Sequence, residues 1–376
     1  MNTTSYWLEE LRELRTPAAG DGPVDVAVVG AGVTGCSCAL TLAERGLRVR
    51  IYEAREVAAG ASGRNGGFAL RGGAMPYDAA CAGLGREKAR QLWQLTQQAL
   101  DRLEVLAGDA FHRVGSIRLA ATADEAERLE AEAAALREDG FAVEAVDLPA
   151  RLTGRYPAAF LNPGDGSLQP ARWVRRLAAQ AVEAGAELVE GRALDAAQLE
   201  RLDAEAVVLA ADGLTSALAP ELGGALWPVR GQMLVTAPLA EQLYERPHYA
   251  RDGYDYWQQL PGGRLAVGGR RDIDAVSEDT AVEETSEAIQ RELDALAAEL
   301  DGGEVTVTHR WAGIWGQSAD RLPLVGRLRG KVWIAAGYSG HGNVLGFACG
   351  ELLARTIAGE APPELELFAP ARLLTP

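Results

Sequence analysis

The run Val26-Ala-Val-Val-Gly30-Ala-Gly32-Val-Thr-Gly35 is a short apolar strand feeding a Gly-x-Gly-x-x-Gly turn, and the next apolar run, Arg50-Ile-Tyr-Glu53, ends in a carboxylate. No other feature of the chain restricts its fold as much. The pattern asks for a parallel strand–turn–helix–strand unit in which Gly30 makes the tight turn, Gly32 lets backbone approach a pyrophosphate and Gly35 lets helix and strand pack closely. Val33 and Thr34 open the following helix, whose N-terminal amides face the anion. Glu53 is placed to accept hydrogen bonds from a ribose diol, with Ala54 and Arg55 beside it. A dinucleotide is therefore the expected ligand, and NAD and FAD both satisfy this first motif.

A second stretch, Ala58-Ala-Gly60-Ala61-Ser62-Gly63-Arg64-Asn65-Gly66-Gly67, turns the expectation toward FAD. Two glycine clusters here expose backbone amides, and Ser62, Arg64 and Asn65 add a hydroxyl, a cation and an amide, enough to run along a second phosphate and a ribityl chain. A third glycine-rich segment, Gly337-Tyr338-Ser339-Gly340-His341-Gly342, again joins an apolar strand to a helix, Val344 to Ile357, whose N-terminus would stabilise negative charge.

The chain has 376 residues, 48% of them hydrophobic, enough for one large or two medium domains with ample cores. No apolar run is long enough to cross a bilayer, and Met1-Asn-Thr-Thr-Ser-Tyr-Trp-Leu-Glu-Glu-Leu-Arg lacks a basic segment followed by an apolar one, so a cytoplasmic location is expected. The net charge of −16 argues against nucleic acid and anionic membrane surfaces as partners. Cys36, Cys38, Cys81 and Cys349 make no paired metal or redox spacing, so no metal is expected. The basic residues are almost all arginine, with Lys88 and Lys331 the only lysines.

Strand-like and helix-like segments alternate so as to suggest one cofactor domain interrupted by a more β-rich one. Helix then strand is read from Pro170 to Gly191, a buried strand over Ala206 to Ala211, and a last strand over Lys331 to Ala336. Solvated amphipathic helices are expected over Asp124 to Asp139 and Ala281 to Leu300. Phe111 to Leu119 and the run from Pro228 through His309 alternate as half-buried antiparallel strands do. The expected fold is α/β (α+β): a Rossmann-like dinucleotide domain over 1–85, 143–215 and 310–376, with an inserted mixed β-sheet substrate domain over 86–142 and 216–309.

The glycine motifs, together with Trp311-Ala-Gly-Ile-Trp315-Gly-Gln-Ser-Ala-Asp320-Arg-Leu-Pro323-Leu-Val-Gly326, resemble the FAD-dependent oxidoreductases related to D-amino-acid, glycine and sarcosine oxidases over nearly the whole chain. The resemblance implies non-covalent FAD, because the Gly63–Gly66 segment offers Arg64 and Asn65 where some relatives carry an attachment residue. It implies flavin contacts from Ala211 and from Gly337, Ser339, Gly340, His341 and Gly342, the last loop lying by the pyrimidine edge. His341 is expected to position or tune the flavin, with general base as the alternative. Tyr254, Tyr256 and Trp257 form the rest of the expected catalytic set; Phe68, Tyr254, Tyr256, Trp311, Trp315 and Tyr338 are the expected substrate contacts. Tyr256 and Trp257 cannot both face inward on a regular strand.

Amine oxidation follows from that resemblance: hydride leaves the carbon beside an amine nitrogen, and the resulting imine is hydrolysed to a carbonyl compound and an amine or ammonia. A polyamine or its γ-glutamyl derivative is the leading substrate and oxygen the expected acceptor, giving hydrogen peroxide. A glycine, sarcosine or D-amino-acid oxidase, a dehydrogenase passing electrons to a quinone or carrier, and a non-catalytic flavoprotein subunit are the alternatives. Sarcosine-oxidase-type enzymes carry a lysine near the flavin, whereas the strand Gly263-Arg-Leu-Ala-Val-Gly-Gly269 has none. Arg71 and Arg230 are the candidates to pair a substrate carboxylate. Oligomeric state is left open.

Overall fold

A computed structural model describes residues 4–10, 20 and 22–374. The β-branched run Val24–Val29 becomes the centre of a six-stranded sheet ordered Leu324–Arg329, Val332–Ala336, Ala204–Leu209, Val24–Val29, Val49–Tyr52, Glu187–Val189. All neighbours are parallel except the pair Leu324–Arg329 and Val332–Ala336. A central parallel strand is covered on both faces, which is why these strands read as unbroken apolar runs. The helix after the first turn, Val33–Ala43, is buried at every residue, packed between Pro170–Glu183 and Gly342–Ile357.

The alternating segments form a seven-stranded mixed sheet ordered Val307–Ser318, Leu226–Pro238, Arg264–Gly269, Asp255–Gln259, His248–Ala250, Ser116–Ala120, Ala158–Asn162. Its back carries the helix Glu287–Asp301, whose Ile289, Leu293, Leu296 and Leu300 are buried against Trp257, Leu265 and Val267. Each large apolar side chain removed from water contributes about 1.5–3 kcal/mol to holding the helix on the sheet. The helix is thus amphipathic as expected and solvated on one side only.

Sheet membership corrects the expected division at three places. The strands Ala158–Asn162 and Val307–Ser318, assigned by sequence wholly or in part to the dinucleotide domain, belong to the seven-stranded sheet. The helix Arg86–Ala107, assigned to the substrate domain, packs on Gly342–Ile357 and Pro170–Glu183 of the other layer. Alternation over Phe111 to Leu119 is also broken: Gly115, at φ 78°, separates Phe111–His112, in a small three-stranded sheet with Phe68–Ala69 and Gly166–Leu168, from Ser116–Ala120. Local periodicity could not place these pieces, because each fits either sheet until long-range pairing chooses.

Candidate active site

Both sheets wall one cavity of about 1260 Å³, above the roughly 300–1,000 Å³ of most small-molecule sites. One end is the cradle made by the glycine turns. Gly30 sits at φ 108°, and a Cβ there would come within 2.6 Å of the Ala210 carbonyl. A Cβ on Gly35 would lie 1.9 Å from the Gly30 carbonyl, so the helix can approach its strand only at glycine. Glu53 caps the second strand and accepts from the Ala31 amide at 2.8 Å and the Arg55 amide at 2.9 Å. Ser62 accepts from the Val33 amide at 3.0 Å, joining the second loop to the helix start.

Lining this end are Gly30, Gly32, Val33, Thr34, Glu53, Ala54, Arg55, Ala61, Ser62, Arg64, Asn65, Gly66 and Ala211, with Ser339, Gly340, His341 and Gly342 opposite. Three sequence candidates lie behind the wall. Gly35 serves helix–strand packing; Gly67, at φ 73°, is pressed between the Leu168 carbonyl and the Gln258 amide; Gly337, at φ 89°, donates to Asp212. The arginines are also more committed than expected. Arg55 and Arg64 share Glu283, at 2.8 and 3.1 Å, and Arg64 further binds the carbonyls of Ala59 and Ala312.

Several organising residues had no motif to announce them. Asn343 trades amide hydrogen bonds with Asn65 at 3.0 Å and donates to the Phe68 carbonyl at 2.7 Å, tying the second and third glycine loops together. Asp212 accepts from the Gly316 and Gly337 amides at 2.9 Å each, and burial lifts its carboxyl to about 6. Trp7 donates to the Asn65 carbonyl at 2.7 Å, and Ser5 to that of Gly63 at 2.7 Å, so a short N-terminal turn pins the second loop. The Ala-Asp-Gly end of a buried strand was the only hint of Asp212 in the sequence; the other contacts span too much chain for any local pattern.

The other end of the cavity is aromatic. Phe68 and Tyr256 meet edge to face with centroids 6.0 Å apart, and Tyr254 and Trp315 line the same space under the Arg271 guanidinium. Tyr256 lies over Gly268, where a Cβ would strike its ring at 2.2 Å. Two expected residues are elsewhere. Trp257, one step along the strand, faces the opposite side, where its ring stacks on His248 at 5.3 Å in the second core. Trp311 is buried and donates to the Arg64 carbonyl at 2.8 Å, supporting the loop instead of touching the cavity. Tyr338 lines the wall, but its hydroxyl is engaged by Thr34 at 2.9 Å.

His341 precedes the helix Gly342–Ile357; its Nδ1 is buried without a partner, and burial lowers the ring to about 4, so it is neutral near pH 7. Arg230 pairs with Glu278 at 2.7 Å beneath the sheet and is not available to a substrate. Among the described residues no cluster suits a metal, and no helix is long and apolar enough to cross a membrane. The glycine cradle and the Glu53 carboxylate fit a long dinucleotide with its ring system toward the aromatic end.

Comparison with known proteins agrees. Residues 25–356 match the family model described as DAO, FAD dependent oxidoreductase. The chain is 28% identical to a probable oxidoreductase OrdL of Rhizobium meliloti (93% of this chain, 86% of the relative) and 27% identical to gamma-glutamylputrescine oxidoreductase of Escherichia coli (90% and 84%). The crystal structure of glycine oxidase from Geobacillus kaustophilus superposes with a TM-score of 0.75 at 25% identity, covering 94% of this chain and 98% of that one. With cradle, topology and family model in agreement, the chain belongs to the DAO family of FAD-dependent oxidoreductases.

Proposed function

We propose that this oxidoreductase acts on an amine, taking hydride from the carbon beside the nitrogen, with a polyamine or its γ-glutamyl derivative as substrate and oxygen as acceptor. The observation that carries the reading is the aromatic compartment of Phe68, Tyr254, Tyr256 and Trp315, continuous with the dinucleotide cradle. One relative is a gamma-glutamylputrescine oxidoreductase and another a glycine oxidase, which supports a carbon–nitrogen bond as the one oxidised. FAD would be held without a covalent bond by Gly30, Gly32, Val33, Thr34, Glu53, Ser62, Asn65, Gly66, Ala211 and the Ser339–Gly342 loop, and it supplies the hydride acceptor.

The chain's own part is to orient, dehydrate and hold protons in place. Tyr256 and Phe68 enclose the reacting carbon in an apolar space that disfavours a charged ammonium and so presents the amine neutral. His341 positions by hydrogen bonding, since its burial keeps it uncharged. The balance is R–CH2–NH–R′ + O2 + H2O → R–CHO + R′–NH2 + H2O2, the imine being hydrolysed by water. A second reading, transfer to an acceptor other than oxygen, is favoured by a cavity wall without lysine.

Anaerobic absorbance titration with polyamines, γ-glutamyl polyamines and amino acids tests the proposal. Bleaching of the flavin band by a polyamine or its γ-glutamyl derivative is expected; bleaching by amino acids alone, or by nothing, refutes it. Reoxidation of the reduced protein by oxygen within seconds in stopped flow supports the oxidase, and slow reoxidation the dehydrogenase.

A further inference from the structure

The far wall of the cavity carries a charged cluster that amine oxidation leaves unused. Arg118 on the strand Ser116–Ala120 lies beside Tyr249, Tyr249 lies opposite Tyr256, and Tyr256 opposite Gly268, so these residues form one row on the cavity face of the sheet. With strands about 4.8 Å apart, Arg118 stands two strands, roughly 10 Å, from Tyr256. Its guanidinium covers the Tyr249 ring at 5.5 Å and donates through Nη1 to the buried Glu132. Nη1 serves Glu132 and the guanidinium also hydrogen-bonds the Tyr249 side chain, so only part of a group with five N–H donors is committed. Arg128 and Asp252 pair at 2.9 Å at the same end.

Arg118, Arg128, Glu132, Tyr249 and Asp252 also line a cleft of about 70 Å³, and the exposed Arg128–Asp252 pair brings this end of the cavity to the surface. Arg71 contrasts with Arg118. It too reaches the wall, but both of its terminal nitrogens are engaged, Nη1 by Gln97 and Nη2 by the Ala142 carbonyl and Asn162. Arg118 and Arg128 stand here beside the carboxylates of Asp78, Glu125, Glu132 and Asp252, so this end offers partners to both charges of a zwitterionic headgroup.

We propose that Arg118, with Tyr249, binds the carboxylate of an α-amino-acid headgroup on the substrate, at the end of the cavity opposite the carbon–nitrogen bond that is oxidised. The inference rests on the amine-oxidation reading and narrows it to γ-glutamyl amines. An extended chain of about ten bonds, the separation of terminal amine and α-carboxylate in γ-glutamylputrescine, spans roughly 11–12 Å at the ~3.5 Å covered by three bonds of stretched backbone. That matches the distance from the aromatic compartment to Arg118.

The test uses the FAD-loaded protein. Binding of γ-glutamyl-n-butylamide, which lacks the oxidisable amine, is compared with that of N-butylacetamide through the flavin absorbance. Wild type should prefer the γ-glutamyl compound by about 10- to 100-fold, the range for a hydrogen bond to a charged group. Arg118→Lys, which keeps the charge and loses the fork, should lose most of that preference. The double variant Arg118→Met/Glu132→Gln, which strands no buried charge, should lose it too. In turnover, the ratio of kcat/KM for γ-glutamylputrescine over putrescine should fall by a similar factor in both variants. Equal binding of the two amides by wild type, or an unchanged preference in the variants, overturns the inference. If no amine bleaches the flavin while the amide preference stands and depends on Arg118, amine oxidation falls and the headgroup site survives.

Discussion

At the scale of single residues, the site depends on atoms that are missing as much as on those present. Gly35 is the sharpest case, since a Cβ there would overlap the Gly30 carbonyl at 1.9 Å and neither backbone segment can yield without opening the cradle. Gly35→Ala should cost about 1–3 kcal/mol as an overpacked contact and release FAD, both visible in thermal unfolding with flavin fluorescence. His341 makes a different prediction. As a neutral positioning group, His341→Gln should slow flavin reduction by no more than about tenfold, whereas loss of a general base costs about 10²–10⁴-fold. Rapid-reaction reduction rates separate the two outcomes.

His248 makes stability depend on pH. It donates from Nδ1 to the Arg246 carbonyl at 2.7 Å, while Nε2 is buried without a partner and burial lowers the ring to about 4. A histidine whose folded pKa lies below its unfolded value of 6.5 stabilises the fold above that value. This contribution is lost as pH falls from about 6.5 toward about 4, up to about 3 kcal/mol at 1.36 kcal/mol per unit. In denaturant unfolding, wild type should therefore lose stability relative to His248→Phe as pH is lowered through this window. Parallel curves would show that His248 does not titrate this way. The comparison is needed because Asp165 and Asp212, lifted to about 6 by burial, act in the opposite sense as pH rises.

At the scale of elements, buried polar pairs decide how segments attach. The strand Leu226–Pro238 is held to the short helix Ala275–Glu278 by Arg230, which donates two hydrogen bonds to Glu278, at 2.9 and 2.7 Å, and by Gln232 on the same carboxylate. Glu278→Ala leaves Arg230 buried and unpaired and should cost about 3–5 kcal/mol, read by denaturant unfolding; Arg230→Met/Glu278→Leu should recover most of it. The connection after this helix carries Glu283, which meets Arg55 and Arg64 at the cradle. Glycine spacing marked the first cradle turn and its helix from sequence, because turn, approach and packing each demand a small residue within ten positions. Asn343, Trp7 and Glu283 escaped that reading, since each acts on chain tens to hundreds of residues away.

At the scale of the whole molecule, two sheets face each other across one cavity, and the layers supply different functions. The parallel sheet aims strand ends and helix starts at a dinucleotide, while the mixed sheet turns alternate side chains toward the same space. That alternation sends Tyr256 to the cavity and Trp257 to the rear core, a separation by face that also removed Trp257 from the expected catalytic set. Arg118 and Tyr249 reach the cavity by the same rule, although neither stands in a recognisable motif.

By itself the sequence determined the dinucleotide cradle, the family and the presence of a β-rich second layer. Those depend on short-range steric demands and period-two or period-3.6 patterns that a single stretch of chain displays. Tertiary structure alone decided which strands joined which sheet, which aromatics faced the cavity and which arginines were already taken by carboxylates. Pairing register and ion-pair choice are settled between segments far apart in the chain, where the free energy of burial selects one partner among several that are locally equivalent.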